Sequence, residues 1–195
     1  MSNKKLKEYK VILASASPRR QQFFGEMEID FVVHPIHVNE IYPDHLKGPQ
    51  ISDYLAELKA AGYEKRLENR DILITSDTVV WHNGISLAKP ADLDEAFSML
   101  KTLSNDWHEV ITSVCLTTNK SQQTVNQCTR VKFKELSHWE MDHYIRNYNP
   151  FDKAGGYGIQ DWIGLIGIEE IQGSYTNVVG LPTQLVYKTL MAMVG

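Results

Sequence analysis

Only two cysteines, Cys115 and Cys128, occur in the 195 residues, and neither stands in a zinc-type spacing. The seven histidines are scattered, without a His-Glu-x-x-His pattern. These absences exclude a zinc-built or disulfide-stapled scaffold. The two thiols read as reduced and partly buried in a cytosolic protein, although their consecutive strand-like segments would also allow a cross-strand pair. No run is long and apolar enough to cross a bilayer. The lysine-rich residues 1–10 are followed by no apolar h-region, so no secretory signal is expected and the location is cytoplasmic. Charge of one sign is lacking too. Lys and Arg number 20 against 24 Asp and Glu, a net charge of −4 with no basic stripe. That disfavours a nucleic-acid-binding module or an anionic membrane surface as partner. Internal repeats, low-complexity tracts and long linkers are absent. What is present is a 43% hydrophobic chain, enough for a sizeable core in a single domain over residues 1–195.

Residues 11–14 read as a short buried strand, 18–25 as a helix and 29–33 as a strand. Residues 34–50 hold three prolines and one glycine and read as a loop. Ile51, Leu55 and Leu58 then keep helical spacing, with Ser52 or Asp53 as cap. Residues 72–80 form a strand, and Asn83-Gly84 folds Val79–Trp81 onto Ile85–Leu87 as a hairpin. A helix follows over 91–103. Two long strands, 107–118 and 123–136, are joined by Asn119-Lys120-Ser121. Ser137 and Glu140 make a capping box for a helix to Arg146. Residues 162–171 read as a strand, Ser174 to Pro182 as strand, turn and helix start, and 181–193 as a closing helix. One long hairpin among alternating elements gives an α/β class with a mixed sheet.

The chemistry begins at Ser15-Ala16-Ser17-Pro18-Arg19-Arg20, directly after the first strand. Ser17 is a natural N-cap and Pro18 is preset for the first helical turn. Free N–H groups and the positive end of the dipole suit an anion there. Arg19 and Arg20 have the wrong sign for that helix end, so they need another reason. Either a phosphate chain supplies it, through guanidinium forks, or the arginines are simply solvated. Asp77 closes Asp71-Ile72-Leu73-Ile74-Thr75-Ser76-Asp77 at the strand's end. It reads as metal ligand, as general base for water, or as a turn-capping carboxylate. Lys59 reads as reaching a pocket edge or snorkelling, and Lys89, fixed by Pro90, as a phosphate ligand or a loop lysine. Asp152-Lys153-Ala154-Gly155-Gly156-Tyr157-Gly158-Ile159-Gln160 lets backbone approach a ligand closely, and the Gln160 amide, both donor and acceptor, suits a base edge.

In this order these segments resemble the Maf family of nucleoside triphosphate pyrophosphatases. Further matches are Leu58-Lys59-Ala60, Asp77-Thr78-Val79-Val80, Lys89-Pro90, Leu103-Ser104 with His108-x-Val110-x-Thr112, and Gly173 to Pro182. The resemblance covers about 11–190. It implies an elongated mixed sheet with flanking helices and two lobes around a cleft, similar to inosine triphosphate pyrophosphatases. The implied enzyme is a hydrolase that cleaves NTP to NMP and pyrophosphate with a divalent cation, Mg²⁺ or Mn²⁺. Asp77 is then the base and a metal ligand. Ser15, Arg19 and Arg20 hold phosphates, and Lys59 and Lys89 neutralise charge. Arg19, Thr78 and Gln160 fall at positions linked with substrate choice, and the Asp152–Gln160 form is that of the dTTP- and UTP-acting subgroup, with modified pyrimidine nucleotides as a further substrate class that the resemblance implies. A homodimer is implied as well. Three residues depart from the family pattern. Asn149 replaces a usual Glu, Asp161 a usual glycine, and Ser76 a usual small apolar residue. The competing reading is a nucleotide-binding regulator of cell division and septum formation with weak or no catalysis; Asn149 favours it, while Asp77, Lys59 and Lys89 disfavour it.

Overall fold

The computed structural model describes residues 5–195. Its strands are β1 (Lys10–Leu13), β2 (Phe31–Val33), β3 (Asp71–His82), β4 (Ile85–Leu87), β5 (Trp107–Thr117), β6 (Gln122–Phe133) and β7 (Ile168–Gln172). They form one mixed sheet in the order β2-β1-β3-β5-β6-β7, with β4 on β3. The helices are α1 (Pro18–Glu26), α2 (Pro49–Ala61), α3 (Leu93–Leu103), α4 (His138–Tyr148), α5 (Trp162–Gly167), α6 (Tyr175–Val179) and α7 (Thr183–Val194). The expected α/β class with a mixed sheet is thus observed. No helix among the described residues is long and apolar enough to cross a membrane.

The chain divides into two compact units. The first is Met1–Asp77, Thr112–Gln127 and Gly180–Gly195. In it β1 runs parallel to both β2 and β3, with Val11, Ile12 and Leu13 opposite Ile72, Leu73 and Ile74. Strand alternation sorts these residues by face. Val11, Leu13, Ile72 and Ile74 pack with Phe24 of α1 and Val186, Leu190 and Val194 of α7. Ile12 and Leu73 pack with Ala56 and Ala60 of α2. A parallel strand covered on both faces needs an unbroken apolar run, and Val11-Ile12-Leu13 supplies it.

The second unit is Thr78–Ile111 and Cys128–Val179. The β3–β4 hairpin has the expected register, Val80 opposite Leu87 and His82 opposite Ile85. Its core joins Leu100 and Leu103 of α3, Tyr144 and Ile145 of α4 and Ile163 of α5 to Val131 and Phe133 of β6. Asp92 caps α3 by accepting from Glu95 N, and Ser137 with Glu140 forms the expected capping box on α4.

Several expectations are corrected. Residues 162–171 are not one strand: Trp162–Gly167 is helical and only Ile168–Gln172 is extended. A Cβ at Gly164 would lie 1.9 Å from the Ile159 carbonyl oxygen, so glycine lets a helical turn sit on that backbone. An apolar run does not by itself tell strand from buried helix. Likewise Tyr175–Val179 is helical, not extended. Helix α2 begins at Pro49, ahead of Ser52 and Asp53. Ser52 is buried within it and bonded to the Pro49 carbonyl, so neither residue caps. Cys115 is buried and Cys128 exposed, both as free thiols.

Candidate active site

The turn after β1 is built by its own serines. Ala14 N donates to Ile74 O, which ends the β1–β3 ladder, and the chain then leaves the sheet. Ser15 is buried. Its Oγ accepts from Ser17 N at 3.3 Å, and its carbonyl accepts from Gln21 Nε2 at 3.1 Å. Ser17 occupies the N-cap position of α1 with extended backbone but makes no side-chain cap, contrary to expectation; its own N–H goes to Ser15 Oγ and its carbonyl accepts from Gln21 N. Pro18 stands in the first turn as expected.

Arg20 has a reason to be in that first turn. Its Nε donates to the Gly180 carbonyl at 2.8 Å and its Nη1 to the Ser76 carbonyl at 2.9 Å. The guanidinium is therefore clamped between the turn before α7 and the strand segment that carries Asp77. Burial pulls it below its ordinary value, Asp77 and Glu40 oppose the fall, and Arg19 adds to it. So one guanidinium, a second arginine and two carboxylates share one neighbourhood.

Asp77 is not at a strand end: β3 continues to His82, so the turn-capping reading falls. What ends near it is β1, whose ladder stops at Ile74. Lys59 comes to Asp77 from α2. Thr75 Oγ1 donates to the Ala56 carbonyl at 2.6 Å, tying α2 to β3 one helical turn before Lys59. Lys59 Nζ lies 2.6 Å from Asp77 Oδ1 and 3.0 Å from Glu40 Oε1. Lys59 therefore does not snorkel to water; its side chain is 13% exposed and that of Asp77 is 10%. Glu40 is a residue the sequence did not single out. It sits in the irregular stretch between β2 and α2, which is anchored by His34 edge-on to Tyr63 with ring centroids 5.2 Å apart. Ile36 and Val38 of the same stretch also lie against Gly62 at the end of α2, and no local pattern announces Glu40.

Two carboxylates meeting on one ammonium form a cation-compatible pair of oxygen donors. Among the described residues no group of three or more His, Cys, Asp or Glu converges, so the protein offers a hard divalent cation at most a partial shell. A divalent cation held there would need further oxygen ligands from outside these two side chains.

The other sequence-singled residues belong to the second unit. Thr78 is the next residue of β3 and is half-buried, while Lys89 is exposed after β4. Gly155 N donates to the Ala88 carbonyl at 3.0 Å, so the backbone beside Lys89 is tied to the glycine segment. Within that segment Tyr157 is buried, and its hydroxyl is 2.6 Å from His108 Nε2. Burial lowers His108 to about 3, with His82 adding to the fall and Asp106 opposing it, so the imidazole is neutral. Asn149, where a carboxylate was expected from the resemblance, is the left-handed cap of α4 (φ 47°), a conformation asparagine tolerates well.

The family profile described as Maf-like protein matches residues 10–193. The chain belongs to the Maf family. Relatives named dTTP/UTP pyrophosphatase include one from Flavobacterium johnsoniae, 51% identical over 194 residues and covering 100% of both chains. A second, from Flavobacterium psychrophilum, is 52% identical over 191 residues and covers 98% of each. A third, from Christiangramia forsetii, is 51% identical over 190 residues and covers 97% of each. Among solved structures, a nucleoside-triphosphatase / dITP/XTP pyrophosphatase from Mycobacterium abscessus is similar with a TM-score of 0.42 and 12% identity, covering 94% of this chain and 96% of that one. The Maf assignment rests on the sequence matches, which span every residue of the Asp77, Lys59 and Glu40 cluster.

Proposed function

We propose that this Maf-family protein hydrolyses dTTP and UTP to the nucleoside monophosphate and pyrophosphate. The observation that carries the reading is the Asp77–Lys59–Glu40 cluster beside the Arg20 clamp. Full-length relatives at 51–52% identity, named dTTP/UTP pyrophosphatase, support the substrate class.

In the proposed reaction Asp77 Oδ2 takes a proton from the attacking water while Lys59 holds Oδ1. Water attacks the α-phosphorus, its O–P bond forms as the α–β anhydride bond breaks, and pyrophosphate leaves. Phosphoryl transfer asks a protein mainly for positioning and positive charge. Arg19, Arg20 and Lys59, the Ser15 turn and Lys89 are assigned to the phosphates. Gln160 is assigned to the base, where its amide matches the N3–H and carbonyl edge of uracil and thymine; Thr78 is assigned to the same substrate. A divalent cation, Mg²⁺ or Mn²⁺, would be held by Asp77 and Glu40 and would supply further charge neutralisation at phosphate oxygens. A homodimer and a cytoplasmic location belong to the same proposal, and sedimentation and cell fractionation test them.

The regulator reading without catalysis gains nothing from the structure, since a carboxylate with two supporting cations is what catalysis needs. The experiment is kcat/KM for dTTP, UTP, CTP, ATP and GTP with pyrophosphate as the measured product. Faster turnover of dTTP and UTP is expected; a preference for GTP or 7-methyl-GTP contradicts the reading.

A further inference from the structure

Asp161 is held from three sides. Gly158 N donates to Tyr144 Oη at 3.0 Å, and Tyr144 Oη in turn donates to Asp161 Oδ2 at 2.7 Å. Because the tyrosine oxygen already accepts from Gly158, its own proton goes to the carboxylate. Gln160 Nε2 donates to Asp161 Oδ1 at 3.1 Å, and Lys153 Nζ stands 3.8 Å from Oδ2. Burial and then Asp161 raise the Tyr144 phenol above its ordinary value, which keeps it a donor.

The chemistry of the pair fixes the direction of the amide. An ionised carboxylate only accepts, so Gln160 must turn its NH₂ toward Asp161. A flipped amide would put its carbonyl oxygen against the carboxylate. A Cβ on Gly158 would fall 2.6 Å from both Asp161 Oδ2 and Gln160 Nε2, so the glycine leaves room for the two side chains to meet there. The Gln160 carbonyl oxygen is thereby aimed away from Asp161.

We infer that Asp161 is a specificity-determining positioning residue: through its hydrogen bond it presets Gln160 to offer a carbonyl oxygen to the substrate base, selecting bases with a ring N–H donor. The inference rests on the pyrimidine-nucleotide reading above. Uracil and thymine donate from N3; cytosine carries a lone pair at N3 and meets the oxygen with repulsion. A site built for one hydrogen-bonding edge rejects another because its polar groups go unpaired. The contact does not distinguish guanine, whose N1–H also donates, so discrimination against GTP must come from elsewhere.

The test is kcat/KM for UTP, CTP and GTP with the wild type, Asp161→Asn, Gln160→Ala and the double variant. Asparagine can donate or accept, so it frees the Gln160 amide to flip with little change in shape. Asp161→Asn is expected to lower the UTP-to-CTP ratio about three- to tenfold, the factor one neutral hydrogen bond carries. The UTP-to-GTP ratio should change less. In the Gln160→Ala background Asp161→Asn should leave the UTP-to-CTP ratio where it is, because Asp161 acts through Gln160. Tyr144→Phe, which removes the donor that holds Asp161, should lower the ratio in the same direction. A wild-type ratio kept by Asp161→Asn, or lowered equally in both backgrounds, overturns the inference alone. A wild type with no preference for UTP over CTP overturns the base assignment and the inference with it.

Discussion

The Asp77 neighbourhood and the Tyr144–Gln160 neighbourhood solve different problems with different groups. The first concentrates charge: Lys59 holds Asp77 and Glu40, and Arg20 feels both carboxylates with Arg19 beside it. The second is built largely on directional hydrogen bonds between polar groups, Tyr157 with His108 and Tyr144 and Gln160 with Asp161. Charge is indifferent to direction and suits a triphosphate, where the demand is to neutralise oxygens. Neutral hydrogen bonds are directional and suit a base edge, where the demand is to tell donor from acceptor. Variants in the first region should therefore change rate, and variants in the second should change selectivity.

The largest expected effect is Asp77→Asn, which should reduce kcat by about 10²–10⁴-fold while leaving the UTP-to-CTP ratio of kcat/KM unchanged. Wild-type kcat in this variant would place the base elsewhere. Next is Lys59→Ala, which leaves Asp77 and Glu40 without their shared donor. Urea denaturation should show a loss of about 1–3 kcal/mol, and unchanged stability would mean the ammonium is not holding the carboxylates.

His108 gives a pH signature for the second region. Its folded value, about 3, lies below the ordinary 6.5, so the unfolded chain binds the extra proton between those limits. Its contribution is fully present above pH 6.5 and is lost as pH falls toward 3, by up to about 1.4 kcal/mol per pH unit. Replacing His108 with Gln should flatten the stability profile in that window; an unchanged slope contradicts a buried neutral imidazole. The smallest effect belongs to Asn149→Glu, which forces a left-handed cap on glutamate and should cost about 1 kcal/mol in a denaturant titration. Asn149→Gly should be close to neutral.

Much of this was legible in the sequence, for local reasons. The β1–α1 turn, the Asn83-Gly84 hairpin and the Ser137–Glu140 capping box are set by residues a few positions apart, and all three appear where the chain predicts them. The failures share a cause as well. Glu40 meets Lys59 across a stretch whose packing runs through Tyr63 and Gly62, 19 positions or more from the residues it holds in place. Arg20 finds its carbonyls at Ser76 and Gly180, 56 and 160 positions along the chain. The helix at Trp162–Gly167 depends on Gly164 lying against the Ile159 backbone. Asp161 read as a departure from pattern, and only the fold shows Tyr144 holding it. Local chemistry writes turns and caps; partners far along the chain decide which charges meet.

The central claim is that water attacks the α-phosphorus under Asp77. Hydrolysis of UTP in ¹⁸O-labelled water, followed by mass spectrometry of the products, tests it most directly. The account predicts one labelled oxygen in UMP and unlabelled pyrophosphate; label in pyrophosphate, or UDP with labelled orthophosphate, would contradict it.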